Sequence, residues 1–192
     1  MDPKKTPLLG ADLRSTLTGV YTVDPVCSAI GFAVRRAMVT TVRGGFRRFE
    51  GVLELDGARP TRSRASVRVR TGSLDTGAVE RDALVTGPDF FDSDAFPFIV
   101  FQSTGITPSG GDRFRVSGDL RIRNVALPIV TDLEFSGATR DADGRTRVCF
   151  EGSATLCRSD WGLTWTSGDV LIGDRVRIDF DICAVQETPV TI

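Results

Sequence analysis

The sequence has no histidine, and this absence narrows its chemistry more than any motif that is present. Without histidine, Ser-His-Asp and Cys-His catalytic arrangements and every histidine-ligated metal site are excluded. We expect neither a metal nor a cofactor. The four cysteines form no C-x-x-C pair, and a chain of 192 residues is long enough to form a hydrophobic core without disulfide bonds. The sequence therefore predicts reduced thiols rather than a disulfide framework.

Three further absences narrow the classes of partner. Net charge is only −1, which removes the electrostatic footprint of a nucleic-acid-binding protein. No apolar run approaches the length of a membrane span. The opening segment (1–19) contains Lys4 and Lys5 but no continuous apolar stretch behind them, so it does not indicate a secretory signal. We expect a cytoplasmic protein, with an N-terminal arm (1–18), one barrel domain (19–186) and a short tail (187–192).

What the sequence does have is period-2 alternation of apolar and charged residues. Val67 and Val69 alternate with arginines, and the segment 175–182 alternates in the same way. This pattern is typical of a sheet with one dry and one wet face. We predict an all-β fold in which eight antiparallel strands close into a barrel, with a ninth segment (174–185) pairing with the first. The predicted strands cover 20–25, 28–36, 44–55, 63–72, 97–106, 112–123, 128–139 and 146–157.

One stretch (74–96) breaks the alternation. It contains the helix-compatible run VERDALV (79–85), followed by Gly87 and Pro88. Long connections in compact domains often form lids or binding loops. The sequence predicts a short helix and loop over one end of the barrel.

The order of segments resembles the YceI-like family of lipocalin-like polyisoprenoid-binding proteins. The resemblance runs from Tyr21 to about Val185. The matching segments are YTVDPVCSAIGFAVRRAMVTTVRGGF (21–46), FEGVLELD (49–56), SLDTGAVERDALVTGPDFFDSDAFPFIVFQST (73–104), FRVSGDLRIRNVALPIV (114–130), DWGLTW (160–165) and VLIGDRVRIDFDICAV (170–185). The resemblance implies an elongated barrel that holds an isoprenoid or fatty-acyl tail, a polar end for the head group, and in many members a dimer. We therefore expect a hydrophobic small-molecule partner, and a homodimer is compatible with this reading.

The sequence departs from the family at three places where members commonly carry histidine. These places hold Cys27, Arg36 and Ala83. The resemblance therefore implies a retained barrel whose polar end has been rebuilt.

The polar candidates for that end each have a structural alternative. Arg36 is an even number of residues from Ile30 and Phe32, so a regular strand would point all three side chains to the same face. The Arg36 guanidinium would then point into the barrel and could bind an anionic group of a ligand. Alternatively, it pairs with Asp82 or reaches solvent at the strand end. Arg81 and Asp82 either orient a ligand or, as we favour, anchor the lid.

Cys27 is a candidate nucleophile that a cation such as Arg36 would have to activate, although a free cysteine more often acts as a small hydrophobe. Cys149 and Cys183 are out of phase with their apolar neighbours, which predicts that they lie on the outer face.

The aromatic residues are expected to supply the bulk of the apolar lining: Phe32, Phe46, Phe90, Phe91, Phe96, Phe98, Phe101, Trp161 and Trp165. The predicted ligand contacts are Phe32, Val34, Arg36, Phe46, Arg81, Asp82, Phe90, Phe91, Phe101 and Trp165.

Three functional hypotheses follow. The first is binding of an isoprenoid, fatty-acyl or polyketide-like molecule inside the barrel. The second is a cofactor-independent cyclase or isomerase of specialised metabolism, in which a dry pocket selects a folded conformer and Arg36, Asp82 or Cys27 stabilises charge. The third is a structural or stress-related barrel that binds a partner.

Overall fold

The computed structural model describes residues 16–36, 40–140, 144–164 and 172–187. Within these ranges the chain forms eleven strands in a single antiparallel sheet. They are β1 (Gly19–Val23), β2 (Ala29–Arg36), β3 (Thr40–Phe46), β4 (Phe49–Leu55), β5 (Arg64–Arg70), β6 (Leu74–Asp75), β7 (Phe98–Gly110), β8 (Arg113–Ile122), β9 (Val125–Arg140), β10 (Thr146–Cys157) and β11 (Ile172–Gln186). One helix, α1 (Val79–Thr86), lies between β6 and β7.

The sheet closes on itself because β1 pairs with β4 on one side and β11 on the other. Strands β1, β4, β5, β7, β8, β9, β10 and β11 therefore form a ring of eight. β2 occupies the place of β1 farther along β11, since β11 pairs with β1 over 184–186 and with β2 over 172–181. The predicted eight-stranded antiparallel barrel is confirmed, as is the pairing of the first and last strands.

The predicted single strand 44–55 is instead two strands. β3 pairs with β6 while β4 pairs with β5. The break falls at Arg47 and Arg48, whose backbone N–H groups donate to the carbonyl and the hydroxyl of Ser73, each at 3.0 Å. Alternation continues through such a break, so only the tertiary partner reveals it.

The barrel has two different ends. The rim end is formed by the β4–β5 loop (56–63) and the β7–β8 turn (111–112). The helix end carries α1 and the loop after it, the β8–β9 turn (123–124) and a 3₁₀ turn, Arg158–Trp161. The helix and loop predicted at one barrel end are therefore confirmed.

The helix end is filled by side chains. Phe91 (8% exposed), Trp161 (4%) and Leu163 (3%) pack together with Leu74, Leu120 and Ile122. The indole Nε1 of Trp161 donates to the carbonyl of Leu120 at 3.0 Å, which satisfies the ring's only polar atom. Trp161 therefore closes this end instead of lining the cavity.

The expectation of reduced thiols is wrong for one pair. Cys149 on β10 lies directly opposite Cys183 on β11, with Cα atoms 4.1 Å apart, and the two form a disulfide. Both lie on the outer face, because their neighbours Phe150 and Ile182 point inward. Spacing in the sequence cannot show this pairing, since it depends on the register of two strands 34 residues apart. Cys27 and Cys157 are free.

Candidate functional site: the barrel cavity

The barrel encloses a cavity of about 280 Å³. Every strand of the closed ring except β1 contributes inward side chains to its wall, and β1 is preceded by Leu17, which also lines it. The lining is almost wholly apolar, and its only hydroxyl side chains among the described residues are Ser63 and Thr131. A concave apolar space of this kind is typical of small-molecule sites.

Two of the aromatic rings in the wall lie against glycines on neighbouring strands. A Cβ atom built on Gly118 would sit 2.5 Å from the ring of Phe101, and one on Gly152 would sit 2.7 Å from the ring of Phe180. Only glycine leaves room for a ring to lie across the adjacent strand. These two positions therefore set how far Phe101 and Phe180 lean into the cavity.

Access to the cavity differs between the two barrel ends. At the rim end the lining includes Asp56, Gly57, Pro60, Arg64 and Asp112, all partly or fully exposed. At the helix end the buried residues Phe91, Trp161 and Leu163 lie beyond the wall and do not line it. The cavity therefore meets solvent at the rim end, opposite the predicted lid.

The polar groups at the rim are already paired with one another. Asp56 accepts from the Arg59 backbone N–H at 2.8 Å and lies 3.7 Å and 3.9 Å from the guanidinium groups of Arg59 and Arg62. The hydroxyl of Ser63 accepts from the backbone N–H of Asp56 at 2.9 Å. These contacts shape the β4–β5 loop and keep its charges at the surface.

The structure separates the predicted ligand contacts. Phe46 and Phe101 line the cavity. Phe32, Phe90 and Phe91 belong to the hydrophobic cluster at the helix end, where Phe46 and Phe91 have ring centroids 6.3 Å apart. Val34 does not line the cavity, and Trp165 lies outside the described residues. The hydrophobic cluster at the helix end thus forms the closed floor of the cavity.

Arg36 does not point into the barrel. It is exposed at the end of β2, opposite Thr40 and Ile172, and no ion pair joins it to Asp82 in the described part of the chain. Ile30 points inward, but the inward–outward alternation of β2 does not extend to Arg36, because the strand ends there. Of the alternatives, the structure shows a strand end that reaches solvent.

Arg81 and Asp82 anchor α1 rather than face the cavity. The guanidinium of Arg81 donates to the hydroxyl of Thr76 at 2.7 Å and to its carbonyl at 2.9 Å. The Asp82 carboxylate accepts from the backbone N–H of Thr76 at 3.1 Å and from its hydroxyl. One threonine thus joins the start of the helix to the end of β6.

We expect Thr76→Val to loosen this helix without unfolding the barrel. The substitution removes the hydroxyl that serves both Arg81 and Asp82, at a cost of about 1–2 kcal/mol. Hydrogen exchange should accelerate over 76–97, whereas the strands should keep their protection. Thr86→Val is the control, because the Thr86 hydroxyl bonds only within the helix, to the Asp82 carbonyl at 2.8 Å. Equal acceleration in both variants would contradict the anchoring role.

Cys27 is exposed in the β1–β2 loop, where its Sγ contacts the guanidinium of Arg147. Arg147 also pairs with Asp24 at 3.1 Å. This loop lies beside Cys183, whereas Arg36 lies opposite Ile172 on the same strand. At about 3.3 Å per residue, strand β2 alone keeps Cys27 and Arg36 more than about 20 Å apart. Arg36 therefore cannot activate Cys27.

Two phenylalanines expected in the lining lie against arginine side chains instead, and four others line the cavity. Phe98 faces outward beneath Arg68 and Arg70, whose guanidinium carbons lie 4.2 Å and 4.9 Å from its ring centroid. Phe96 lies under Arg123 at 5.4 Å. Four lining phenylalanines were missed, although the inward parity of their strands would have found them: Phe114, Phe135, Phe150 and Phe180.

Tyr21 supports the rim from inside the core. Its side chain is fully buried, and its hydroxyl donates to the carbonyl of Leu17 at 3.0 Å. Leu17 in turn lines the cavity at the rim end. Burial raises the pKa of Tyr21 above its ordinary value, because the phenolate would lose its hydration.

We expect the protein to lose stability as pH rises beyond the ordinary tyrosine pKa, near 10. The unfolded chain ionises there while the folded chain stays protonated up to its higher pKa, so the stabilisation present below pH 10 is lost above it. The chain has one tyrosine, so the ultraviolet absorbance of its phenolate should grow only as the protein unfolds. Tyr21→Phe should remove this tyrosine-linked pH dependence and cost about 1 kcal/mol at neutral pH. A phenolate signal that develops near pH 10 in folded protein would contradict the buried environment.

Neither metal-binding clusters nor membrane-spanning helices occur in the described parts of the chain. No set of three or more cysteine, aspartate and glutamate side chains there is arranged to hold a metal ion. None of the helical segments there has the length and apolar character needed to cross a membrane.

Comparison with known proteins places the fold in a family. A model of the YceI-like domain matches residues 21–184. The chain belongs to the YceI-like family. A UPF0312 protein of Azotobacter vinelandii is 31% identical over 156 residues, covering 81% of each chain. A Vibrio cholerae UPF0312 protein is 33% identical over 136 residues, covering 71% of this chain and 72% of that one.

Two solved structures share the barrel fold. BcnA of Burkholderia cenocepacia superposes with a TM-score of 0.73 at 23% identity, covering 84% of this chain and 98% of that chain. A polyisoprenoid binding domain from Saccharophagus degradans gives a TM-score of 0.69 at 15% identity, covering 87% and 98%. At these identities the likeness establishes the fold.

Proposed function

We propose that this YceI-like protein binds a hydrophobic small molecule inside its barrel, most simply an isoprenoid or fatty-acyl chain. The observation that carries the proposal is the apolar cavity of about 280 Å³ that meets solvent at one end. A core of this size would normally be filled by side chains, since voids larger than a water molecule are few in folded proteins. The polyisoprenoid-binding domain with the same fold supports the ligand class.

The test begins with protein purified without detergent. Solvent extraction followed by mass spectrometry should release one apolar compound at about one equivalent per chain. After extraction and refolding, the empty protein should take up an environment-sensitive apolar dye, and the extracted compound should displace it. A consistently empty cavity that takes up no dye would overturn the proposal.

No observation favours the cyclase or isomerase alternative. Its three candidate residues do not meet at the cavity: Arg36 is at a strand end, Asp82 is bound to Thr76, and Cys27 is in the β1–β2 loop. Electrostatic stabilisation of a reaction needs polar groups aimed at the reacting atoms. The homodimer that the family resemblance allows stays a prediction.

We also infer that the protein folds in an oxidising environment. The Cys149–Cys183 disulfide supports this inference, because structural disulfides are rare in the reducing cytoplasm. The cytoplasmic location expected from the sequence stays a prediction, and the disulfide opposes it. Alkylation of freshly lysed cells before reduction should find this pair protected and Cys27 modified; modification of both members of the pair would overturn the inference.

A further inference from the structure

We propose that the cavity accepts a single hydrocarbon tail, inserted from the rim end, and buries only about ten to fifteen of its carbons. The polar head then stays outside, among the arginines of the β4–β5 loop. The proposal rests on the function proposed above and adds three properties to it: a direction, a length limit, and a requirement that the buried part carry no polar group.

The length limit follows from the cavity's volume. An apolar cavity of about 150 Å³ in another protein holds one benzene ring, so about 280 Å³ holds roughly eleven to twelve carbons at that density. Modest side-chain adjustment would add a few more. The wall contributed by β8 runs from Phe114 to Ile122, which spans about 20 Å along the axis of a tilted strand. Spread over that length, the volume is a channel one hydrocarbon chain wide.

The direction follows from the two ends. The floor is closed by Phe91, Trp161 and Leu163, all buried, and the Trp161 indole is fixed to the Leu120 carbonyl. In the described part of the chain, a polar head group placed against this floor would meet the apolar side chains of the helix-end cluster in place of water. At the rim, the head can stay hydrated close to Arg59, Arg62 and Arg64, all exposed. The tail must therefore enter first.

The requirement for a plain tail follows from the lining. Thr131 donates its hydroxyl to the carbonyl of Ser153 at 2.9 Å, and Ser63 accepts from the Asp56 backbone. Below the rim, the described wall offers a ligand no other polar side chain. A hydroxyl carried to the floor would lose its water without finding a partner, which should weaken binding about tenfold to a hundredfold.

The test is a series of saturated carboxylates and a series of isoprenols, each of increasing length, titrated against dye-loaded protein. Affinity should rise about fourfold per added methylene. The rise should end between about ten and fifteen carbons, so that the C20 isoprenol binds no more tightly than the C15 isoprenol. Dodecanoate with a hydroxyl on its last carbon should bind about tenfold to a hundredfold more weakly than dodecanoate. Exchanging the carboxylate for an alcohol should change affinity by less than about fivefold at low salt, because exposed ion pairs contribute little.

Two matched variants locate the end of the tail. Phe101→Leu enlarges the wall towards the floor and should move the limit by one or more carbons. Phe114→Leu makes the same change at the rim and should leave the limit where it is. Both phenylalanines line the cavity, one at each end, so a general loss of packing would affect the two variants alike.

The outcomes separate this proposal from the broader function. Affinity that keeps rising through C20 and longer chains, or a limit that moves equally in both variants, would overturn the length limit while leaving ligand binding intact. Equal affinity for the terminal hydroxyl compound would overturn the tail-first direction. If no chain of any length displaces the dye, the proposed function itself fails.

Discussion

Replacing Ala154 by phenylalanine should weaken ligand binding by at least a hundredfold while the barrel stays folded. Ala154 lies on β10 opposite Ile178, and both side chains line the cavity. A phenyl ring needs about the volume of a benzene-sized cavity, which is roughly half of the space available. About five ligand carbons would be displaced, and each buried methylene contributes about 0.8 kcal/mol.

The control for this variant is the next residue on the same strand. Thr155 points to the outer face and is exposed, so Thr155→Phe adds the same ring without entering the cavity. Its ligand affinity should equal that of the unmodified protein. Near-ultraviolet circular dichroism and thermal unfolding verify that both variants fold. If Ala154→Phe binds the extracted ligand or the dye as tightly as Thr155→Phe, the ligand does not occupy this cavity.

Removing the Cys149–Cys183 disulfide should give the largest loss of stability. The bond closes a loop with a sequence separation of 34 residues. In the chain-entropy account, a loop of this length contributes about 3–4 kcal/mol by restricting the unfolded chain. At about 2–4 °C per kcal/mol for a domain of this size, Cys149→Ala with Cys183→Ala should lower Tm by about 6–16 °C.

Two controls make the disulfide prediction specific. Cys27→Ala changes an exposed thiol and should alter stability by less than about 0.5 kcal/mol. A reducing agent should lower the Tm of the unmodified protein by a similar amount and leave the double variant unchanged. Denatured, unreduced protein should titrate as two free thiols, Cys27 and Cys157. Four free thiols, with no loss of Tm in the double variant, would refute the bond.

The strand alternation predicted much of the fold because it has a local cause. Inward apolar residues such as Ile178 and Phe180 are each followed by an outward charged residue, and a half-buried sheet favours this alternation along its strands. The break in alternation over 74–96 likewise identified the segment that contains α1. The sequence could not show that Arg47 and Arg48 interrupt a strand, since the Ser73 groups that bond them lie elsewhere in the chain.

The candidate site was harder to predict because its geometry is not local. Phe46 and Phe101 were placed in the lining, but Phe90 and Phe91 close the floor and Phe98 faces outward under arginines. The polar mouth was expected at the lid, around Arg36 and Asp82, whereas the cavity meets solvent at the opposite end. Parity within a strand says which face a residue takes; it does not say which barrel end is open.

The sequence by itself determined that this protein lacks histidine chemistry, folds as an antiparallel barrel with an apolar interior, and resembles the YceI-like family. These properties depend on residue types and on a two-residue period, which the chain carries locally. The tertiary structure alone decided that Cys149 meets Cys183, that Trp161 and Phe91 close one end, and that the cavity opens at the other. Those outcomes depend on strand register and barrel closure, which join residues far apart in the sequence.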